Sequence, residues 1–504
     1  MSRPTRVLAW LAGIVVLLAA VAAFLLRGVE ITSWRMIWNS VSGAPGPKAE
    51  EATIATRLRA PAGWRLGVYA NDVPEARFMH LTASGDLIVS QPRLGQITLL
   101  GRDADGNGLP DRRAVLLSGL DRPHGVALHE GFLYVGETGA VGRVAFDEAR
   151  GEVTGTYAQV ITGLPPGGNH WSRTVRIGPD GWLYVHVGSS CNVCEEEHAW
   201  RATMLRARPD GSELAIHASG LRNSVGFDWA PWSGELFATD NGRDLLGDDF
   251  PPCELNRITA GGFYDWPFVN GFNTLDPDLG QGHEELLSRA IPPAHGFGAH
   301  TAPLGIRFLR HQQDPSLARA ALVALHGSWN RSTPSGYHVV LLRWDDESHV
   351  SESVFLTGFE QGGHVIGRPV DIAEASDGSL FVSDDYAGAI YRLTQGGVAS
   401  PMPAPESAGT GTRAPAADPL AGVDAATLAT ADRRGAEIVA QYACAGCHAP
   451  GSPMGEKLGT VAERYTPETL ADWLKTPRAP MPVYPLSEED RRALALHLIA
   501  ESAR

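Results

Sequence analysis

Cys444-Ala-Gly-Cys447-His448 carries the most specific chemistry in the sequence. Two thiols on one turn can add to the two vinyl groups of a haem, and the adjacent imidazole can ligate its iron; this is the c-type attachment pattern. No second Cys/His pair at zinc-ligand spacing follows, so a zinc half-site is set aside. The sixth ligand expected is Met481 in APMPVYP, thirty-three residues after His448. It stands just ahead of a helix that Ser487 should cap, with Glu488, Glu489 and Asp490 at its positive end. A Met/His pair raises the haem potential and suits electron transfer. Met454 is the rival, but six residues past His448 is too near to reach the opposite haem face.

A second set of candidates recurs along the middle of the chain: His124 in RPHGVAL, His170 in GGNHWSRTVRI, Arg222 and Asn223 in GLRNSVGF, His300 in AHTAPLGI and Arg368 in GRPVDIA. Residues at one phase of a closed repeat fall on one ring. Positive and titratable groups converging in a concavity make an anionic-ligand site. Taken singly, each is equally a polar residue lining a wet channel. In DADGNGLPD, Asp103, Asp105, Asn107 and Asp111 alternate oxygen ligands as a calcium loop does. The other reading is a solvated Asp/Gly turn, and any calcium there would be structural. Cys191 and Cys194 lack a following histidine, which excludes haem and leaves a short-loop disulfide as the reading; Cys253 is then left over and buried.

A repeat must position these residues. SGDLIVSQPRLG, EGFLYVGETGAVG, DGWLYVHVGSSC, SGELFATDNGRD and DGSLFVSDDYAG share one pattern, with RAALVALHGSWNRS as a degenerate copy. The repeated leucines are Leu87, Leu133, Leu183, Leu236, Leu322 and Leu380, about 59 residues apart on average, room for four short strands and their turns. The expected fold over 55–397 is therefore an all-β six-bladed β-propeller. An open solenoid would need a capping repeat, and none is visible. Residues 398–430 are rich in Ala, Pro, Gly and Thr and read as a flexible linker. A helix from Ala431 to Ala443 then opens a small all-α module, 431–504.

Val7 to Leu26 is twenty residues long without a charge, the length of a membrane-spanning helix. Arg3 and Arg6 place its N-terminus inside. The expectation is an uncleaved N-terminal transmembrane helix within 1–30, with cleavage after Ala20-Val21-Ala22 as the alternative. The rest of the chain is then expected on the periplasmic side of the bacterial inner membrane. The 57 glycines and 35 prolines imply many tight turns and argue against a mostly helical chain. A net charge of −15 with no basic block makes nucleic acid an unexpected partner.

The order of helix, CxxCH, methionine loop and terminal helix resembles a class I cytochrome c. NHWSRTVRIGPDGWLYVHVGSSCNVCEE, GLRNSVGF, TDNGRD, CELNRI, GGFYDWP and GRPVDIAEASDGSLFVSDD are similar to the soluble glucose/sorbosone dehydrogenases, which use pyrroloquinoline quinone (PQQ). That resemblance implies a propeller with PQQ and calcium at its channel mouth, oxidising a sugar hydroxyl or hydrated aldehyde. It implies His170 as the general base, near the ordinary histidine pKa of about 6.5. It implies Arg222 and Asn223 at the quinone oxygen that becomes negative as hydride arrives, and Arg368 on a PQQ carboxylate. The carbonyls of Gly242 and Arg243 would hold calcium. Asn330 and Arg331 stand where the family has a lysine, and His124 and His300 complete the ring. Asn169 replaces an aspartate ahead of the base, and no arginine follows Arg368 two residues on, so a sorbosone-type or other aldose substrate is expected as readily as glucose. The fused haem c would take the electrons and pass them to a cytochrome or terminal oxidase. A six-bladed calcium-dependent lactonase shares the architecture, but hydrolysis yields no electrons for a haem. A non-catalytic propeller that docks a redox partner is the third reading.

Overall fold

Uninterrupted apolar runs such as LIV and LYV suit strands buried on both faces, and each recurring leucine lies in such a strand. The computed structural model describes residues 46–264, 266–345, 349–396, 420, 423–441, 461–475 and 486–502. In it the leucines fall on Leu87–Gln91, Phe132–Glu137, Leu183–Val187, Leu236–Asp240, Ala320–Leu325 and Leu380–Asp384, the second strands of six antiparallel blades. All six leucines are buried. The strand before each is innermost: Met79–Leu81, Val126–His129, Val175–Ile177, Phe227–Trp229, Pro303–Phe308 and Pro369–Glu374. Neighbouring inner strands approach so closely that a Cβ on Gly226 would lie 2.0 Å from the Leu304 carbonyl oxygen, which leaves room for glycine alone.

The ring closes between its two ends. Trp64–Ala70 pairs antiparallel with Ala389–Gln395, so the first strand completes the last blade and covers its edge. Adjacent blades bury their faces together: Ile88 and Leu99 pack with Leu133 and Val144, and Phe237 with Phe308 and Val340. Truncating a leucine at such a seam to alanine costs about 2–5 kcal/mol. After Pro252–Ile258 the chain leaves the fourth blade, adds Gly262–Phe263 in parallel to Ala215–Ser219 of the third, and returns as His295–Ala299. Arg243 anchors this excursion through a buried ion pair with Asp276 at 2.7 Å.

The chain divides into two compact units, Met1–Met402 and Pro403–Arg504. The second is helical where described. Its helix Ala425–Gln441 starts ahead of the expected Ala431, because the Asp424 carboxylate accepts the Thr427 N–H at 2.9 Å and caps it there. Ser487 Oγ accepts the Asp490 N–H at 3.0 Å at the start of Glu488–Ser502, the cap expected from sequence. These two helices cross at Gly435, where a Cβ would lie 2.2 Å from the His497 Cβ. Ile438, Leu470, Leu494, Leu498 and Ile499 form the core. The haem-attachment residues Cys444, Cys447 and His448, both candidate methionines, and the apolar segment 7–26 lie outside the described residues. No helix among the described residues is long and apolar enough to cross a membrane.

Candidate active site

Antiparallel pairing brings the turn into each innermost strand and the turn out of each second strand to the same end of the channel. His170 stands on one such turn and Ser189 on the other turn of the same blade. His170 Nδ1 lies 2.9 Å from the Ser189 carbonyl oxygen and 2.8 Å from Ser189 Oγ. A carbonyl only accepts, so Nδ1 carries the proton and Nε2 keeps a lone pair. Burial, reinforced by the Arg222 charge, holds the imidazole well below its ordinary pKa. The expectation of a value near 6.5 omitted that desolvation.

Arg222 is placed differently from the quinone-facing role expected of it. Its Nε donates to the Asn192 carbonyl at 2.9 Å, and its Nη1 to the carbonyls of Asn241 and Gly242, each at 2.9 Å. Its Nη2 donates to Asn192 Oδ1 at 2.8 Å and to Asp244 Oδ2 at 3.3 Å. All five guanidinium N–H groups are thereby committed to protein acceptors, and none is left for a ligand oxygen. Gly242, expected on calcium, gives its carbonyl to this cation instead. A divalent ion there would meet a guanidinium, so the Gly242 carbonyl does not fit calcium. The Arg243 side chain is taken by Asp276 and Asp278.

Asp244 gathers the next residues. Its carboxylate accepts from Asn330 Nδ2 at 3.2 Å, and its N–H donates to Asn192 Oδ1 at 2.8 Å. Asn330 Nδ2 also lies 3.4 Å from His300 Nδ1, while His300 Nε2 meets the Gly247 carbonyl at 2.8 Å. Arg331 turns away to the Asp248 carbonyl and to Asp249 at 3.1 Å. Asn223 sits beside His170: a Cβ on Gly188 would lie 2.6 Å from the His170 Cβ and 3.0 Å from Asn223 Oδ1. That oxygen is buried without a hydrogen-bond partner, as is Asn330 Oδ1. His170, Arg222, Asn223, His300 and Asn330 are thus brought onto one arc of the mouth.

His124 is not at the mouth surface. It is fully buried between Phe78, at 4.4 Å, and Trp171, at 5.6 Å between ring centroids, and burial holds it well below its ordinary pKa. Arg368 lines a cavity of about 830 Å³ together with Trp171 and His326. It donates to the carbonyls of His326 at 3.1 Å and Gly327 at 2.8 Å. Among the described residues no carboxylate pairs with it, so its remaining donor edge suits a ligand carboxylate. The cations lining this cavity fit a polyanion such as PQQ, whereas Asn223 Oδ1 and the Nε2 lone pair of His170 are acceptors suited to a ligand N–H or hydroxyl.

Ser189, Asn192, Asp244, Trp171 and His326 were missed from sequence. A signal was present: Ser189, Asp244 and His326 all follow a second strand, one phase later in the same repeat that located the ring. The disulfide read from CNVC joins Cys191 to Cys194, and Cys253 is free and buried. In the DADGNGLPD loop, carboxylate oxygens of Asp103, Asp105 and Asp111 all lie within 4.8 Å of one another. Asn107 Nδ2 donates to Asp105 at 2.9 Å, while Asp103 pairs with Arg392 at 2.8 Å and keeps one buried oxygen without a partner.

Residues 58–250 and 281–396 match the TrAA12-like family model. The stretch between them includes most of the excursion after Pro252–Ile258. Residues 430–498 match the model for subunit III of cbb3-type cytochrome C oxidase. An uncharacterized protein of Borreliella burgdorferi is 36% identical over 247 residues, 47% of this chain and 65% of that protein. The pyrroloquinoline quinone-dependent pyranose dehydrogenase of Coprinopsis cinerea is 24% identical over 424 residues, 70% of this chain and 56% of that protein. The chain therefore spans less than two thirds of either relative. Among solved structures, the calcium structure of a Trichoderma reesei Carbohydrate-Active Enzymes Family AA12 protein superposes with a TM-score of 0.59 at 22% identity, covering 67% of this chain and 97% of that one. The holo PQQ domain of the Coprinopsis cinerea pyranose dehydrogenase gives 0.59 at 22%, covering 70% and 99%. These likenesses establish the six-bladed fold.

Proposed function

Because the chain belongs to the TrAA12-like family, we propose that its propeller is a PQQ-dependent sugar dehydrogenase acting on an aldose or sorbosone-type aldehyde. The observation that carries this reading is His170: a neutral imidazole, locked through Nδ1 on Ser189, with Nε2 open beside the unpartnered Asn223 side chain and next in sequence to a cavity-lining tryptophan. His170 Nε2 takes the proton of the sugar hydroxyl. PQQ, when bound, supplies the two-electron acceptor. Arg368 and Asn223 would hold it, Arg368 by pairing with a carboxylate. Arg222 acts at one remove, fixing the loops that carry Asn192 and Asp244.

The similarity to a curated PQQ-dependent pyranose dehydrogenase supports this reading, and the cytochrome match supports an onward electron path. Haem c would be attached to Cys444 and Cys447 and ligated by His448 and Met481. It would pass electrons to a respiratory acceptor on the periplasmic side of the inner membrane, with 1–30 as anchor or cleaved signal. The DADGNGLPD loop is proposed as a structural calcium site. A lactonase accounts for neither the cytochrome module nor the cation-lined cavity.

The test is reconstitution of the full chain with PQQ and a panel of aldoses, read as reduction of its own haem at the α-band. Sugar-dependent haem reduction that requires PQQ is the expected result. Hydrolysis of a lactone without haem reduction would replace the reading.

A further inference from the structure

The cavity that Arg368 lines holds more positive charge than its acids can balance. In a chain of net charge −15, Lys48, Arg77, Arg93, Arg122 and Arg368 line it together with Asp72, Glu75 and Asp385. All three acids already have partners: Asp72 pairs with Arg113 at 2.6 Å, Glu75 with Arg93 at 2.9 Å, and Asp385 with Arg77 at 2.6 Å and His326 at 2.9 Å. Among the described residues Lys48, Arg122 and Arg368 make no ion pair. Concave walls with an unbalanced charge concentrate ions of the opposite sign, and a volume of about 830 Å³ suits a small polycarboxylate.

PQQ has three carboxylates, and Arg368 alone cannot pair with them all. Arg331 turns to the Asp248 carbonyl and to Asp249 at 3.1 Å, and it does not line this cavity. Arg122 does line it. Its backbone is held at φ +49°, in the left-handed region that a side chain of this size rarely adopts. That turn lays the guanidinium on the face of Trp171, 3.9 Å from the ring centroid. A stacked guanidinium is fixed in orientation while its in-plane N–H edge stays open, the geometry that matches a carboxylate. Arg122 stands on the turn into Val126–His129 of the second blade, and Arg368 on the turn into Pro369–Glu374 of the sixth, at the same end of the channel. We infer that Arg122 pairs bidentately with a second carboxylate of PQQ, so that the cofactor is clamped between the turns into the second and sixth blades. This rests on the dehydrogenase reading above.

The test uses the full chain, Arg122→Gln and Arg122→Lys, with PQQ and its trimethyl ester as probes and no sugar present. The Arg122 side chain is exposed, so neither change opens the core. Affinity is read by quenching of tryptophan fluorescence. Arg122→Gln should weaken PQQ binding about 10- to 100-fold, the range for one charge-assisted pair. Arg122→Lys should stay weakened too, because an ammonium offers no planar fork. The ester, its carboxylates masked, should bind both variants and the parent chain alike. Unchanged PQQ affinity in Arg122→Gln, full recovery in Arg122→Lys, or the same loss for the ester as for PQQ would each overturn the assignment, even where sugar still reduces the haem. Failure of the dehydrogenase reading looks different: PQQ binds and depends on Arg122, yet no sugar reduces the haem.

Discussion

His170 combines two properties that pull against each other in a base. Its half-buried ring near Arg222 is neutral over a wide pH range, and that same low pKa makes it a weaker proton acceptor. The positive side is availability, since the form able to take a proton persists well below pH 6.5. The acid limb of kcat/KM that reports His170 should therefore lie well under 6.5. A limb centred at 6.5 or above would assign it to another group. His170→Ala should lower kcat by about 10²–10⁴, the usual worth of a positioned base, while PQQ still binds. Full activity in that variant would remove His170 from the mechanism.

At the scale of the element, one short turn does most of the positioning. The residues after Leu183–Val187 hold His170 through Ser189, hold Arg222 through the carbonyl and side chain of Asn192, and are cross-linked by Cys191 and Cys194. Ser189 Oγ also donates to the Cys191 carbonyl at 2.9 Å, tying the base to the cross-linked turn. Asn192→Ala would strip the acceptor from Arg222 Nη2 and from the Asp244 N–H, leaving donors of a buried guanidinium unmet. It should cost about 1–3 kcal/mol in urea unfolding. It should also lower kcat, because the turn that orients His170 loosens. An unchanged unfolding midpoint would show that water replaces the amide at no cost.

For the whole molecule the weak point of a ring is where its ends meet. Trp64–Ala70 closes it on one side, and Asp103 of the first blade reaches Arg392 of the last at 2.8 Å. Calcium in the DADGNGLPD loop would order the turn that carries Asp103 and so strengthen the same seam. Calcium at 100 times its Kd would add about 2.7 kcal/mol by mass action, so chelation with EGTA should lower the Tm of the propeller transition. Asp103→Asn should lower it too and remove the calcium response. A Tm indifferent to both calcium and EGTA would leave the loop as a solvated turn.

The architecture was legible because it is local and repeated. A central strand squeezed between two blades must be apolar on both faces, so Leu87, Leu133, Leu183, Leu236, Leu322 and Leu380 announced six blades, and Ser487 announced a helix cap. The Cys191–Cys194 pairing was legible for the same reason, its partners being three residues apart. The site was legible only as a set of positions. Whether Arg222 meets a ligand or the carbonyls of Asn192, Asn241 and Gly242 depends on which acceptors the neighbouring loops deliver. Those loops lie up to 30 residues away in sequence. The depth at which His124 is buried, the low pKa of His170 and the stacking of Arg122 on Trp171 are likewise properties of packing between blades. A long cationic side chain can reach many partners, and the tertiary structure decides among them by closing off water and placing some acceptors nearer than others.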